Sequence, residues 1–146
     1  MSAPSDTGSD LYFAQIQVGQ MANLTYLVGS RSTREVLLVD PAWSVDALLD
    51  RAEADGMTPV GALVTHYHQD HVGGSIFGME IEGVARLLER APMPIYVNEH
   101  EAEGTRHVTG ASESDLRRMQ SGDDLVLGEV RVKLIHTPGH TPGSQC

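Results

Sequence analysis

Thr65-His66-Tyr67-His68-Gln69-Asp70-His71 places three imidazoles and one carboxylate within six consecutive positions. The stretch follows Val60-Gly61-Ala62-Leu63-Val64, an apolar run that reads as a buried strand, and Gly73-Gly74 comes just after it. Strand side chains alternate with period two, so His66 and His68 point to the same side. Two nitrogens on one side can hold one cation, and where the chain turns, Asp70 and His71 can face a second. A carboxylate beside three imidazoles suits a borderline ion such as zinc, with iron or manganese as the other candidates. The bland alternative, a polar loop carrying surface histidines, does not account for four ligand-type side chains at this spacing.

A second stretch, Leu134-Ile135-His136-Thr137-Pro138-Gly139-His140-Thr141-Pro142-Gly143-Ser144, sets a histidine in a tight Pro-Gly turn after an apolar alternating strand. Taken together, HxHxDH with Gly-Gly and then a distant HTPGHTPGS resemble the metallo-β-lactamase fold superfamily, and within it the glyoxalase II-like (hydroxyacylglutathione hydrolase-like) branch. The resemblance covers residues 11–146. It implies an α/β fold, the αββα sandwich, of which this chain carries the N-terminal half plus the start of the second half. It also implies that His66, His68 and His140 hold the first metal, and that Asp70 and His71 help hold the second. His136 matches no ligand position and is expected to hydrogen-bond within the turn or pack beneath the site. In the family a bridging aspartate and a last histidine follow this turn, and no such residues follow Cys146 here. The chain therefore reads as a fragment: residues 1–10 a disordered leader, and residues 11–146 an incomplete metallo-β-lactamase-like domain. With three histidines for the first metal and only two groups for the second, it is expected to bind one ion better than two. A sheet face built to meet a second sheet would lie bare and invite self-association.

Composition narrows the class of partner. One lysine and nine arginines stand against twenty acids, a net charge of −10, which disfavours a nucleic-acid substrate. No apolar run approaches membrane-spanning length, and Met1 to Asp10 has neither the basic start nor the hydrophobic centre of a secretory signal. The single cysteine, Cys146, excludes an intrachain disulfide and fits a reducing cytoplasm. A small-molecule substrate is expected.

Periodicity supplies the frame. Leu11 to Val18 and Ala22 to Val28 read as paired strands, and Glu35 to Val39 as a third that ends at Asp40-Pro41. Asp40 resembles the family aspartate that braces the ligand loop, and Asn23 stands where the family commonly has an asparagine near the site; a plain turn asparagine is the other reading. Val45, Leu48, Leu49 and Ala52 recur at helical spacing between Ser44, a candidate N-cap, and Gly56. Helices are expected over Ile81 to Arg90 and Ser112 to Met119, and an irregular acidic segment over Asn98 to Thr109, where His100 and His107 read as solvated. Pro94 to Val97 reads as a strand, and a hairpin turns at Gly128-Glu129.

The chemistry expected of such a site is hydrolysis by metal-bound hydroxide, with Asp70 orienting the nucleophile and taking its proton. A thioester such as an acylated glutathione, or a related ester or amide, is the substrate class the resemblance implies. The absence of a GxSxG elbow agrees with a route that forms no acyl-enzyme. Two alternatives stand beside it: a mononuclear iron enzyme of the persulfide dioxygenase type, and a metal-binding fragment without catalysis.

Overall fold

The computed structural model describes residues 9–146. The leader expected over residues 1–10 thus lies almost wholly outside the described residues, but Asp10 is tied down. Its carboxylate accepts from the Ser30 hydroxyl (2.6 Å), the Ser32 N–H (2.7 Å) and the Glu129 N–H (2.9 Å).

A six-stranded sheet organises the molecule. Strands β1 (Leu11–Val18), β2 (Asn23–Ser30) and β3 (Glu35–Val39) form an antiparallel meander. Helix α1 (Val45–Ala54) then crosses over to β4 (Thr58–Val64), parallel to β3. One turn of helix, α2 (Gln69–Val72), leads into a small hairpin, β5 (Gly74–Ile76) and β6 (Met79–Ile81). Helix α3 (Val84–Arg90) returns to β7 (Ile95–Asn98), and α4 (Ala102–Thr109) to β8 (Leu116–Met119), giving the order β1-β2-β3-β4-β7-β8. A second hairpin, β9 (Asp124–Leu127) and β10 (Val130–Lys133), precedes the terminal turn.

Strand alternation sorts the core into two layers. Val36, Leu38, Ala62, Val64, Ile95 and Val97 face the helices, where they meet Val45, Val72, Val84, Leu87 and Ala102. Leu37, Leu63 and Tyr96 face the other way, under Leu127 and Leu134. Each fully buried aliphatic side chain there contributes about 1.5–3 kcal/mol. The mixed α/β architecture is as expected: helices on one face, and the β9–β10 hairpin over part of the other.

Four local expectations are corrected. The segment Ser112 to Met119 is not a helix. The Asp115 carboxylate accepts the Ser112 N–H, one 3₁₀ turn closes over Glu113–Asp115, and the chain extends into β8. Parallel pairing with β7 and burial of Leu116 outweigh the helical preference of the segment. The segment Asn98 to Thr109, expected irregular, contains α4. The helix expected from Ile81 starts at Val84, because Phe77-Gly78 turns the β5–β6 hairpin just before it. Ser44 precedes α1 but its side chain caps nothing; Glu82 accepts the Val45 N–H instead.

Candidate metal centre

The ligand cassette leaves the sheet at the C-terminal end of β4. Beyond Val64 the chain bends at Thr65 and is extended at His68 (φ −62°, ψ 144°), and the rings of His66 and His68 lie edge to face with centroids 5.0 Å apart. Helix α2 then turns Asp70 and His71 back over the same point. Gly73 and Gly74 follow at φ +88° and +122°, a region open to glycine, and a Cβ on Gly73 would sit 2.7 Å from the Gly83 backbone.

The terminal turn arrives from the other side. The Gln145 N–H donates to the Thr65 carbonyl (3.0 Å), and Ile135 and Cys146 exchange backbone hydrogen bonds of 2.9 Å. His140 is thereby carried to the cassette: its Nε2 faces His68 Nδ1 at 3.0 Å, across 72 positions of chain. Donor atoms of His66, His68 and His140 all lie within 4.8 Å of one another. Nitrogens sharing one tetrahedral zinc lie about 3.3 Å apart, given zinc–nitrogen bonds of about 2.0–2.1 Å, so a small inward adjustment of the rings suits such an ion. His71 Nε2 and Asp70 Oδ2 stand 3.4 Å apart, the spacing of two groups on one ion. His66 and His71 are close enough (ring centroids 4.1 Å) for the two positions to adjoin.

Asp40 orients this set from below. Its Oδ1 accepts the Thr65 N–H (2.7 Å), and its Oδ2 accepts both the Thr65 hydroxyl (2.6 Å) and His71 Nδ1–H (2.9 Å). Thr65 Oγ1 in turn accepts from His66 Nδ1–H (2.9 Å). Both imidazoles are thus held with the proton on Nδ1 and the Nε2 lone pair turned inward, the arrangement metal-binding histidines use. Asp40, His66 and His71 also fall within 4.8 Å as a group, but the carboxylate oxygens of Asp40 are engaged in this bracing. The backbone at Asp40 is left-handed (φ +52°), which swings its side chain out of the strand and under the cassette.

Electrostatics follow the geometry. Burial, then the nearby His71, pushes the His66 pKa down to about 4, which leaves the ring neutral and able to bind a cation at pH 7. Burial also opposes charge on His71, but the hydrogen bond and charge of Asp40 outweigh it, and the net shift is upward. For Asp70 burial is outweighed by the hydrogen bond from Asn23 and the charge of His71, so its carboxyl lies below the usual range.

Asn23 and Trp43 complete the surroundings. Asn23 Nδ2 donates to Asp70 Oδ2 (2.9 Å) and to its carbonyl (3.2 Å), and the Trp43 indole N–H donates to the same carbonyl (3.1 Å). The Tyr67 ring lies against Gly104 of α4, and His136 closes the terminal turn by donating to the Pro142 carbonyl (2.9 Å). The side chain of His100 is 56% exposed, and His107 is exposed on α4. Sequence reasoning missed Trp43 and Glu101. Trp43, the single tryptophan, lies just beyond Asp40-Pro41, a weak signal; Glu101 looks like any solvated acid at a helix start.

A model of the metallo-β-lactamase superfamily matches residues 18–146. The chain belongs to this superfamily. Among relatives of this superfamily member are a hydroxyacylglutathione hydrolase from Xylella fastidiosa (36% identical over 106 residues, 72% of this chain and 33% of that one) and the mitochondrial persulfide dioxygenase ETHE1 of Bos taurus (26% over 150 residues, 98% and 50%). Among solved structures, ETHE1 from Myxococcus xanthus superposes with a TM-score of 0.69 at 27% identity, covering 92% of this chain and 52% of that one. A protein solved in a di-iron-bound form gives 0.68 at 25%, covering 90% and 64%. This metallo-β-lactamase superfamily chain spans between a third and two thirds of the length of these relatives. Among its described residues no helix is long and apolar enough to cross a membrane.

Proposed function

We propose that this chain carries the first metal site of a metal-dependent hydrolase acting on a thioester or related ester or amide, as in the glyoxalase II-like branch. The observation that carries the reading is the convergence of His68 Nδ1 and His140 Nε2 to 3.0 Å from distant segments, with His66 beside them. His66, His68 and His140 would hold one ion, and Asp70 with His71 would contribute to a second. An ion held by these residues would supply Lewis-acid chemistry, making water a stronger nucleophile near neutral pH and polarising a carbonyl. Asp70 would accept the proton of the attacking water: its lowered pKa keeps the carboxylate ionised at neutral pH, and Asn23 fixes its orientation. Asp40 keeps His66 and His71 in the tautomer that turns Nε2 inward. The hydroxyacylglutathione hydrolases among the relatives support a glutathione thioester as the small-molecule substrate.

The similarity to ETHE1 along nearly the whole chain supports a second reading, a mononuclear iron enzyme of persulfide dioxygenase type. Metal identity separates the two: zinc with thioester cleavage and no oxygen uptake, or iron with oxygen uptake on a persulfide.

Elemental analysis of the purified chain beside its His140→Ala variant tests the site. About one zinc or iron per chain, lost in the variant, is the expected result. A folded, soluble chain without metal would overturn the reading.

A further inference from the structure

Glu101 is a buried acid, 1% exposed, at the start of α4, outside both ligand motifs. Its Oε1 accepts the Tyr67 N–H (3.1 Å) and the Thr141 hydroxyl (2.5 Å), and its Oε2 accepts the Gly143 N–H (2.9 Å). The identity of these donors is what matters. Tyr67 stands between His66 and His68, and Thr141 directly follows His140. One carboxylate therefore grips the backbone of the cassette with one oxygen and the terminal turn with both. The contact is close: a Cβ on Gly143 would lie 2.6 Å from Glu101 Cγ. Besides the His68–His140 contact itself, ties between turn and cassette run through Gln145, whose N–H reaches the Thr65 carbonyl and whose Nε2 reaches the Val64 carbonyl, each at 3.0 Å. They fix the chain beyond the turn, whereas His140 itself stays exposed at the tip. Glu101 holds the turn next to His140.

We propose that Glu101 is a positioning residue that locks His140 in register with His66 and His68, so that one histidine trio is assembled from two segments far apart in the chain. The inference rests on reading that trio as the first metal site. A carboxylate suits the task because its two oxygens accept several hydrogen bonds at once, and the three donors it meets, two of them backbone N–H groups, are uncharged. Without it the Tyr67 and Gly143 N–H groups lose their acceptor and the turn is free to swing His140 away from His68. Outer groups that orient metal ligands in this way typically change metal affinity by about 10–100-fold.

The test is zinc affinity of the metal-stripped chain, measured by competition with a chromophoric chelator, for the wild type, Glu101→Gln, His140→Ala and the double variant. Circular dichroism of each metal-free form reports folding. Glu101→Gln keeps the shape but replaces one acceptor oxygen with a donor. The expected result is zinc binding weakened about 10–100-fold in E101Q, with no further loss when E101Q is added to H140A, because the acid acts through that histidine. A folded E101Q with affinity within about twofold of wild type would overturn the inference, as would a full additional loss in the double variant. If E101Q does not fold, Thr141→Val removes one donor and leaves the acid in place. It is then expected to weaken zinc in the wild-type background but not in H140A, and equal affinity with wild type would overturn the inference. A wild-type chain that takes up no zinc would instead remove the metal-site reading on which the inference rests.

Discussion

Asp40 is the residue whose loss is expected to cost most for its size. Asp40→Asn keeps one acceptor oxygen but sets an NH₂ against donors at Thr65 or His71. About 1–3 kcal/mol of stability and about 10–100-fold in zinc affinity should go together, measured by denaturant unfolding and chelator competition. His66 sets a pH response in the metal-free chain. Its folded pKa, about 4, lies below the unfolded value near 6.5, so the unfolded state takes up the proton first as pH falls. This contribution is fully present above about pH 6.5 and is lost progressively toward pH 4, by up to about 3 kcal/mol. His71, shifted the other way, contributes stability below its unfolded pKa that fades as pH rises through the folded one. His66→Gln should therefore flatten the stability profile between pH 4 and 6.5 in thermal melts, and an unchanged slope would contradict the assignment. As ligand candidates, His66, His68, Asp70 and His71 stand out by residue type and spacing, and His140 by the resemblance of its turn. Glu101 does not, because its role depends on partners 34 and 40 positions away.

Elements show where local preference decided the outcome and where packing did. Strand β1 follows from alternation and β3 and β4 from short apolar runs, because burial of one face or of both leaves a pattern that can be read. Helix α4 hides within a segment of mixed charge, since it presents only a narrow apolar side around Ala102 and Thr105. The sequence of β8 reads as a helix because a single capped turn starts like one. The junction between α2 and α3 offers a direct check on packing. A Cβ on Gly83 would lie 2.0 Å from the Val72 carbonyl oxygen, whereas one on Gly110 (φ +76°) meets nothing within 4 Å. Gly83→Ala must displace backbone and should cost more than about 3 kcal/mol. Gly110→Ala pays only for its left-handed conformation, about 1–2 kcal/mol. Comparing the two melting temperatures tests this order, and equal shifts would show that the α2–α3 junction yields easily.

The whole molecule has one sheet face well covered and one covered in part. Helices close the first, while the β9–β10 hairpin lies over Leu37 and Leu63 on the second. The β1–β2 end of that second face remains open: Leu11, Phe13 and Leu24 are each 40–43% exposed, and Phe13 stacks on Tyr26 at 5.5 Å. Sedimentation velocity across a concentration series should show reversible self-association, weakened by Phe13→Ser with Leu24→Ser; a monomer at every concentration would show that this patch is not adhesive. By itself the sequence determined the family, the short strands and the cassette residues proposed to bind metal, His66, His68, Asp70 and His71. Those depend on short-range periodicity and on ligand chemistry, both written in consecutive residues. Only the tertiary structure decided that the Asp40 expected to brace the ligand loop does so by bonding Thr65 and His71, that Trp43 joins Asn23 in holding Asp70, and that Glu101 joins the cassette to the terminal turn. Each of these contacts is made by segments that the sheet topology, rather than the chain order, brings together.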